Sequence, residues 1–386
     1  MNRVNNFIFV VLISFVFNSC SSNDHIENQS NILNPIQLKD ILIDTINLSY
    51  LFESYEFIPL SMGLSNEAVF GKISKMVVSN GQFIILDSDF TNNIYVYDFS
   101  GNFRYKLSLG KGEGEVINIE DFCVYNNLIC ILDNGDKSIK FYDLENGDFV
   151  RQIKLGHFFR GIEYLNDDKL VLSNSAINAW EIFDNNACVL FDLENEIIIP
   201  FHTPIEYAPY QEFIGTSSPF TNLNGYVYFA SSFSNSIYKI KDYASYSKIT
   251  IDFGKNGLHN HYKEIKKFPD LNKYANNTNY LSGMVASSAT WAIYLIRNND
   301  GVLQHLFIDS ENSKKTAFAH IENDLYSIPL LYFSGHSDKT DMYTVLDINM
   351  IGYYIQNGNS MDPKTLNELK AIDLSATNAV LVRLTT

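Results

Sequence analysis

The chain has 386 residues, a formal net charge of −16 and 14% aromatic residues, with 24 Tyr and 28 Phe against only 9 Pro. That length suits two ordinary domains or one large all-β domain. The acidic balance excludes nucleic acid and an anionic membrane surface as partners, because both are held through a basic patch. No stretch is long and apolar enough to span a bilayer.

The first residues read as a targeting segment. Arg3 gives a positive start, and the apolar run from Phe7 to Phe17 is too short for a membrane helix. The run ends in Phe17-Asn18-Ser19-Cys20, which resembles the lipobox of bacterial lipoproteins, although Phe17 and Asn18 depart from the usual choices there. The resemblance implies cleavage after Ser19 and a lipid on Cys20. Residues 1–19 are therefore expected to be a lipoprotein signal peptide, 20–36 a flexible Asn/Ser-rich tether, and 37–386 a single domain.

Inside the domain, Tyr55–Leu60 is a lone strand candidate. After it, one pattern is written twice: ISKMVVSNGQFIILDSDFTNNIYVYDFSGNFRYKLSLG, then INIEDFCVYNNLICILDNGDKSIKFYDLENGDFVRQIKLG. Aligned on Asp87 and Asp133, 46 positions apart, Asn80 meets Asn126, Leu86 meets Leu132 and Gly110 meets Gly156. Each copy holds four short β-type runs separated by turn residues. Tyr and Phe suit such half-buried pleated surfaces. A four-strand unit of this period is the signature of a propeller blade, and a single blade cannot bury both its faces.

Further along, a third unit starts near Arg160, a fourth spans Ser217–Gly254 and a fifth runs from Tyr280 to about His320. The last offers only three strands, in IPLLYFSG, MYTVLDIN and AVLVRL, with a helical piece between. Tyr55–Leu60 supplies the missing fourth by pairing near Ala379–Leu384, which removes exposed edges. The expected fold is all-β: a six-bladed β-propeller of four-stranded antiparallel blades, closed by an N-terminal strand joining the C-terminal blade.

The EFIPL strand, the GKISKMVVSNGQFIILD opening and the glycine-rich LGKGEGE resemble the six-bladed β-propeller proteins of Bacteroides-type bacteria, which are related in shape to NHL-repeat propellers. In that family the glycine motif reads G-x-G-P-G-E; Gly110, Gly112, Gly114 and Glu115 fit, and Glu113 stands where Pro is usual. The resemblance covers roughly residues 50–386. It implies the fold and a place in the cell envelope, as a lipid-anchored protein on the periplasmic or surface side of the outer membrane. A fold does not carry an activity.

Residue by residue, no catalytic constellation stands out. Cys123 and Cys130 flank a two-residue turn and face each other, but Val77 and Ile84 hold the same places in the preceding unit, so the pair reads as packed, reduced thiols. His259 and His261 lack a third and fourth ligand at recognisable spacing, so no metal is expected. LGKGEGE lacks the G-K-[ST] ending of a phosphate loop and reads as a turn, and Asp87 and Asp133 read as turn residues. No cofactor is implied.

The links between strands are more informative. Links between the first and second, and third and fourth, strands are short throughout. The long segments Ser175–Asn186, Thr203–Thr216, Lys255–Asn279 and Asn349–Asn378 all emerge at the other end. That end is where binding is expected. Arg160, His157, Trp180, Tyr207 and Tyr210 are the candidate contact residues there, suited to a carbohydrate, peptide or protein partner. The best reading is an exported binding or scaffolding module. The alternative is a propeller enzyme, a lactonase-like metal hydrolase or a lyase, working in the central channel, where the innermost strands offer Glu120, Asp121 and Glu163.

Overall fold

The computed structural model describes residues 29–386 apart from 33, 108, 113, 167, 176, 177, 179, 184, 185, 201–218, 243, 244, 266, 267, 311–313, 331 and 358–360. The architecture is all-β and propeller-like, built from antiparallel four-stranded ladders that follow one another along the chain. The first ladder comprises Lys75–Ser79, Gln82–Asp87, Asn93–Asp98 and Phe103–Leu107. The second runs through Ile119–Tyr125, Leu128–Asp133, Ser138–Asp143 and Phe149–Lys154. Three more follow from Phe159, Phe220 and Tyr280.

The last ladder joins the two ends of the chain. Phe333–Ser337 pairs with Met342–Leu346, which pairs with Thr377–Thr385, which pairs in turn with Ser54–Ser61. Leu60 lies opposite Ala379 and Tyr55 opposite Leu384, the register expected from the orphan strand. The segment before that strand does more than the sequence suggested. Gln29–Ile32 and Ile36–Gln37 run parallel to the outer strand Ser245–Asp252, and Leu42–Asn47 runs parallel to the outer strand Lys315–Glu322. Both outer edges are thereby covered.

Turn chemistry explains why the strands fold back where they do. Asn80-Gly81, Asn126-Asn127 and Asn224-Gly225 all take positive φ, at 51° and 72°, 43° and 61°, and 51° and 75°. Asn and Gly tolerate that left-handed pair, whose twist matches a tight hairpin. The apolar faces then meet between ladders. Ile84, Leu86 and Val96 of the first ladder pack on Phe122, Ile129 and Ile131 of the second. The other face of the second, with Cys130, Leu132 and Phe141, packs on Leu170, Leu172 and Val189 of the third. Every residue of Gln82–Asp87 is buried, which is why its sequence reads as a continuous apolar run and not an alternating one.

The first strand of each ladder lies innermost. In chain order these are β1 (Lys75–Ser79), β2 (Ile119–Tyr125), β3 (Phe159–Asn166), β4 (Phe220–Leu223), β5 (Tyr280–Ser287) and β6 (Phe333–Ser337). Successive inner strands contact one another, and β6 contacts β1 as well as β5. At β6 the contact becomes parallel pairing, with His336 opposite both Val77 and Ser287. The hydrogen-bonded sheets nonetheless remain separate and do not form one closed sheet.

Links sort by end as expected. Those between first and second, or third and fourth, strands never exceed five residues. At the opposite end lie 253–279, which carries the helix Phe268–Ala275, and 347–376, which carries the helices Ile348–Asn357 and Pro363–Lys370. Among the described residues no helix is long and apolar enough to cross a membrane.

Candidate functional site

Two aspartates fix the inner strands in height. Asp87 is buried at the end of its strand and accepts from Gly71 N at 2.9 Å, Phe90 N at 3.0 Å and Thr91 Oγ1 at 3.1 Å. Asp133 does the same from Ile117 N, Asn118 N and Gly135 N, each at 2.9 Å, and also pairs with buried Lys140 at 2.7 Å. These are more than the turn residues their sequence suggested. Each carboxylate ties an outgoing link to the segment that leads into the inner strand of its ladder. The glycine-rich stretch beside them is a turn, as expected. Glu115 folds back onto Gly112 N at 2.6 Å, and a Cβ at Gly110 would sit 2.0 Å from the Glu115 carboxylate.

Each inner strand contributes a buried or half-buried polar side chain: Lys75, Asp121, Glu163, Thr221, Ser287 and His336, from β1 to β6 in turn. Lys75 Nζ donates to Asp121 Oδ1 at 2.8 Å and to Phe122 O at 2.5 Å, with both side chains essentially inaccessible. Asp121 Oδ2 also accepts from Ile162 N at 2.9 Å, which ties β2 to β3. On the other side, Thr221 and Ser287 share a hydrogen bond of 2.5 Å, and Ser287 Oγ lies 3.0 Å from His336 Nδ1.

The electrostatics follow from burial. Burial opposes the Lys75 charge, but Asp121 and Glu163 outweigh it and the ammonium holds its proton more firmly than usual. Burial pushes Glu163 up to about 7 against the pull of Lys75. Burial, helped by the Lys75 charge, brings His336 down to about 3, so its imidazole is neutral. The channel thus holds one fixed ion pair, one neutral histidine and one carboxyl poised near neutral pH.

A cavity opens on either side of this ring. The one at the end where the inner strands begin has a volume of about 480 Å³, and the one at the tight-turn end about 510 Å³; His336 borders both. The first is walled by charged pairs. Lys72 and Asp89 meet at 2.6 Å, and Arg160 meets Glu120 at 3.4 Å. Burial raises the Glu120 carboxyl, while Arg160 and Asn134 pull it back. The second cavity is lined more by Val77, Val78, Val124, Leu165 and Leu223.

Of the residues singled out from sequence, Arg160 lines the first cavity. His157 does not; it packs edge-on against Phe183 at 5.2 Å and so anchors the link carrying that ring. Trp180 starts a short 3-10 turn, Trp180–Phe183, and its side chain lies outside the described residues, as do Tyr207, Tyr210 and Cys20. Tyr262 donates to Phe233 O at 2.8 Å and packs with Leu258, Ile265 and Leu271, holding its long link to the rim. Among the described residues, none of 175–186, 255–279 or 349–378 reaches the wall of this cavity. Cys123 sits opposite Cys130, and both are buried free thiols; Val77 sits opposite Ile84, as the repeat requires. Among the described residues no three of His, Cys, Asp and Glu converge as a metal site.

Lys75 and His336 were not among the sequence candidates. The signal for Lys75 was present: the register that aligns Asp87 with Asp133 also aligns Lys75 with Asp121, a charge reversal at one repeat position. His336 lies just beyond the run IPLLYFSG that the sequence assigned to its inner strand.

Four-stranded antiparallel ladders following one another along the chain, their first strands in contact, define an all-β, propeller-like protein. The chain belongs to the family of the domain of unknown function DUF4934, whose model matches residues 35–384. Its fold is similar to that of the "putative exported protein" from Bacteroides fragilis NCTC 9343, at 19% identity and a TM-score of 0.71 over 92% of this chain and 100% of that one. Weaker likeness extends to a DUF4221 family member from Bacteroides vulgatus, at 9% identity and a TM-score of 0.48 over 86% of this chain and 96% of that one. It extends also to a catalytically inactive virginiamycin B lyase of Staphylococcus aureus, at 11% identity and a TM-score of 0.42 over 86% and 100%. No curated protein matches the chain.

Proposed function

We propose that this chain is an exported, lipid-anchored, six-bladed, NHL-like β-propeller that binds a ligand in the channel mouth where its inner strands begin. The observation that carries the binding reading is the cup itself. A cavity of about 480 Å³ falls in the range of ordinary ligand sites, is walled by Arg160, Glu120, Lys72 and Asp89, and is floored by buried polar side chains. The six-blade count rests on the ladders and on the contacts of β1 to β6. Export and the anchor rest on Arg3, the apolar run 7–17 and Cys20, supported by the exported relative of the same fold.

Two measurements test this. Cys20→Ser should move the protein from the membrane fraction to the soluble fraction of the envelope, and unchanged fractionation would remove the anchor. For the site, thermal-shift screening of neutral sugars, acidic sugars and short peptides should find a stabilising class whose effect disappears in Arg160→Ala. A stabilising ligand indifferent to Arg160 would place binding elsewhere.

One observation favours a second reading, a lyase-type enzyme in the channel. Glu163, with its pKa near 7, could exchange protons with a substrate beside the Lys75 charge. Turnover of a bound ligand that Glu163→Gln abolishes, with binding kept, would favour the enzyme over the module.

A further inference from the structure

We infer that the ligand of this cup is the end of an uncharged, polyhydroxylated chain, a neutral glycan. The inference rests on the binding reading above and names its chemistry.

Charge balance comes first. The cup's walls carry three cationic heads, and each already faces a carboxylate: Lys72 faces Asp89 at 2.6 Å, Lys75 faces Asp121 at 2.8 Å and Arg160 faces Glu120 at 3.4 Å. His336 is neutral. Among the described residues that line the cup no surplus cation is left to hold a phosphate or carboxylate, and a chain with net charge −16 repels both. Nor is there a surplus carboxylate to hold an amine.

The wall chemistry comes second. Arg160 beside Glu120, and Lys72 beside Asp89, set a donor and an acceptor a few ångströms apart, and Asn118 lines the same cavity. Such alternating donors and acceptors match vicinal hydroxyls, each of which both gives and accepts a hydrogen bond. A peptide would instead seek an open strand edge, and here the edges of β5, β6 and β1 are already joined.

Shape comes third. Tyr332 is 46% exposed and lines the cup together with Ile73 and Val285, and its ring supplies apolar surface for the C–H face of a sugar ring. The ring containing Lys75, Asp121 and His336 lies between the two cavities, so a ligand enters end-on.

The test is calorimetric titration of the purified full chain with three probe sets. These are neutral hexasaccharides (malto-, cello- and xylo-), oligogalacturonates, and a library of neutral tripeptides. The same titrations are run on Arg160→Ala and Tyr332→Ala, with Asn146→Ala on the tight-turn end as control. All three positions are surface-accessible, and unchanged thermal melts establish that each variant folds. At least one neutral hexasaccharide should bind. Arg160→Ala should weaken it at least about tenfold, the loss expected for a charge-assisted hydrogen bond. Tyr332→Ala should weaken it several-fold, and Asn146→Ala should leave it unchanged. Binding confined to oligogalacturonates or peptides, and lost in Arg160→Ala, overturns the neutral glycan while keeping the cup as the site. Hexasaccharide binding that ignores both Arg160 and Tyr332 overturns the cup. Failure of all three probe sets overturns both.

Discussion

Lys75 and Asp121 hold the same position in two consecutive repeats, carry opposite charges and meet at 2.8 Å in the channel wall. A repeat that would otherwise place two like residues side by side places an ion pair instead, and joins β1 to β2. Breaking it by Lys75→Met strands a buried carboxylate and should cost about 3–5 kcal/mol. The double change Lys75→Met with Asp121→Leu should recover most of that loss. It should not recover all, because Ile162 N loses its acceptor, at about 1–3 kcal/mol. Urea denaturation of the three proteins decides it. A double variant no more stable than the single one sinks the account.

Glu163 makes stability depend on pH in a predictable direction. Its folded pKa is near 7 against an ordinary value of 4.5, so between those values the native chain holds a proton that the unfolded chain has lost. Stability from this group is fully present below about pH 4.5 and is lost as pH rises through 7, by about 3 kcal/mol in all. Glu163→Gln lacks the effect. The wild-type minus Gln difference, taken from urea melts at pH 4.5, 6 and 8, should therefore shrink with rising pH. His336 acts oppositely, losing stability as pH falls from 6.5 towards 3, and cancels in that difference. A flat difference curve would contradict the assignment.

Cys123 and Cys130 should titrate as thiols. In denatured but unreduced chain, dithionitrobenzoate should find both of them together with Cys188. Because Val77 and Ile84 fill the matching places in the first ladder, Cys123→Val with Cys130→Ile should cost less than about 1.5 kcal/mol. Finding one thiol per chain would show that the pair is oxidised.

Asp133→Ala should destabilise more than Asp87→Ala, although the two sites are equivalent in the repeat. Both variants leave part-buried backbone N–H groups without their carboxylate acceptor, at about 1 kcal/mol or more for each variant. Only Asp133→Ala also takes from the buried Lys140 ammonium its nearer carboxylate, leaving it Asp136 at 3.3 Å and the Glu115 carbonyl. Thermal melts of the two variants side by side give the order directly, and equal losses would mean that Asp136 alone suffices for Lys140.

The ladders were legible because turns and apolar runs are local signals, and so was the pairing of the two ends, because one ladder came up a strand short. The sorting of link lengths to one end was legible for the same reason. The channel ring was not, because it is a property of residues brought together from strands tens of positions apart. Asp121 and Glu163 were visible as isolated acids, but their chemistry depends on Lys75, whose strand lies in another repeat. Long links drew attention as binding segments, yet Tyr262 in one of them spends its hydroxyl on Phe233 and packs against the cluster of Leu258, Ile265 and Leu271. The cup is walled by short segments, Lys72–Met76 and Asn118–Glu120, whose only mark in the sequence is charge.

The strand Ser54–Ser61 finds its partner in Thr377–Thr385, so the first strand of that ladder to be made waits for the last. During synthesis this ladder stays open until the final residues leave the ribosome, and nothing earlier can latch it. Cutting either end of the chain therefore removes the same latch, however much of the rest is left intact.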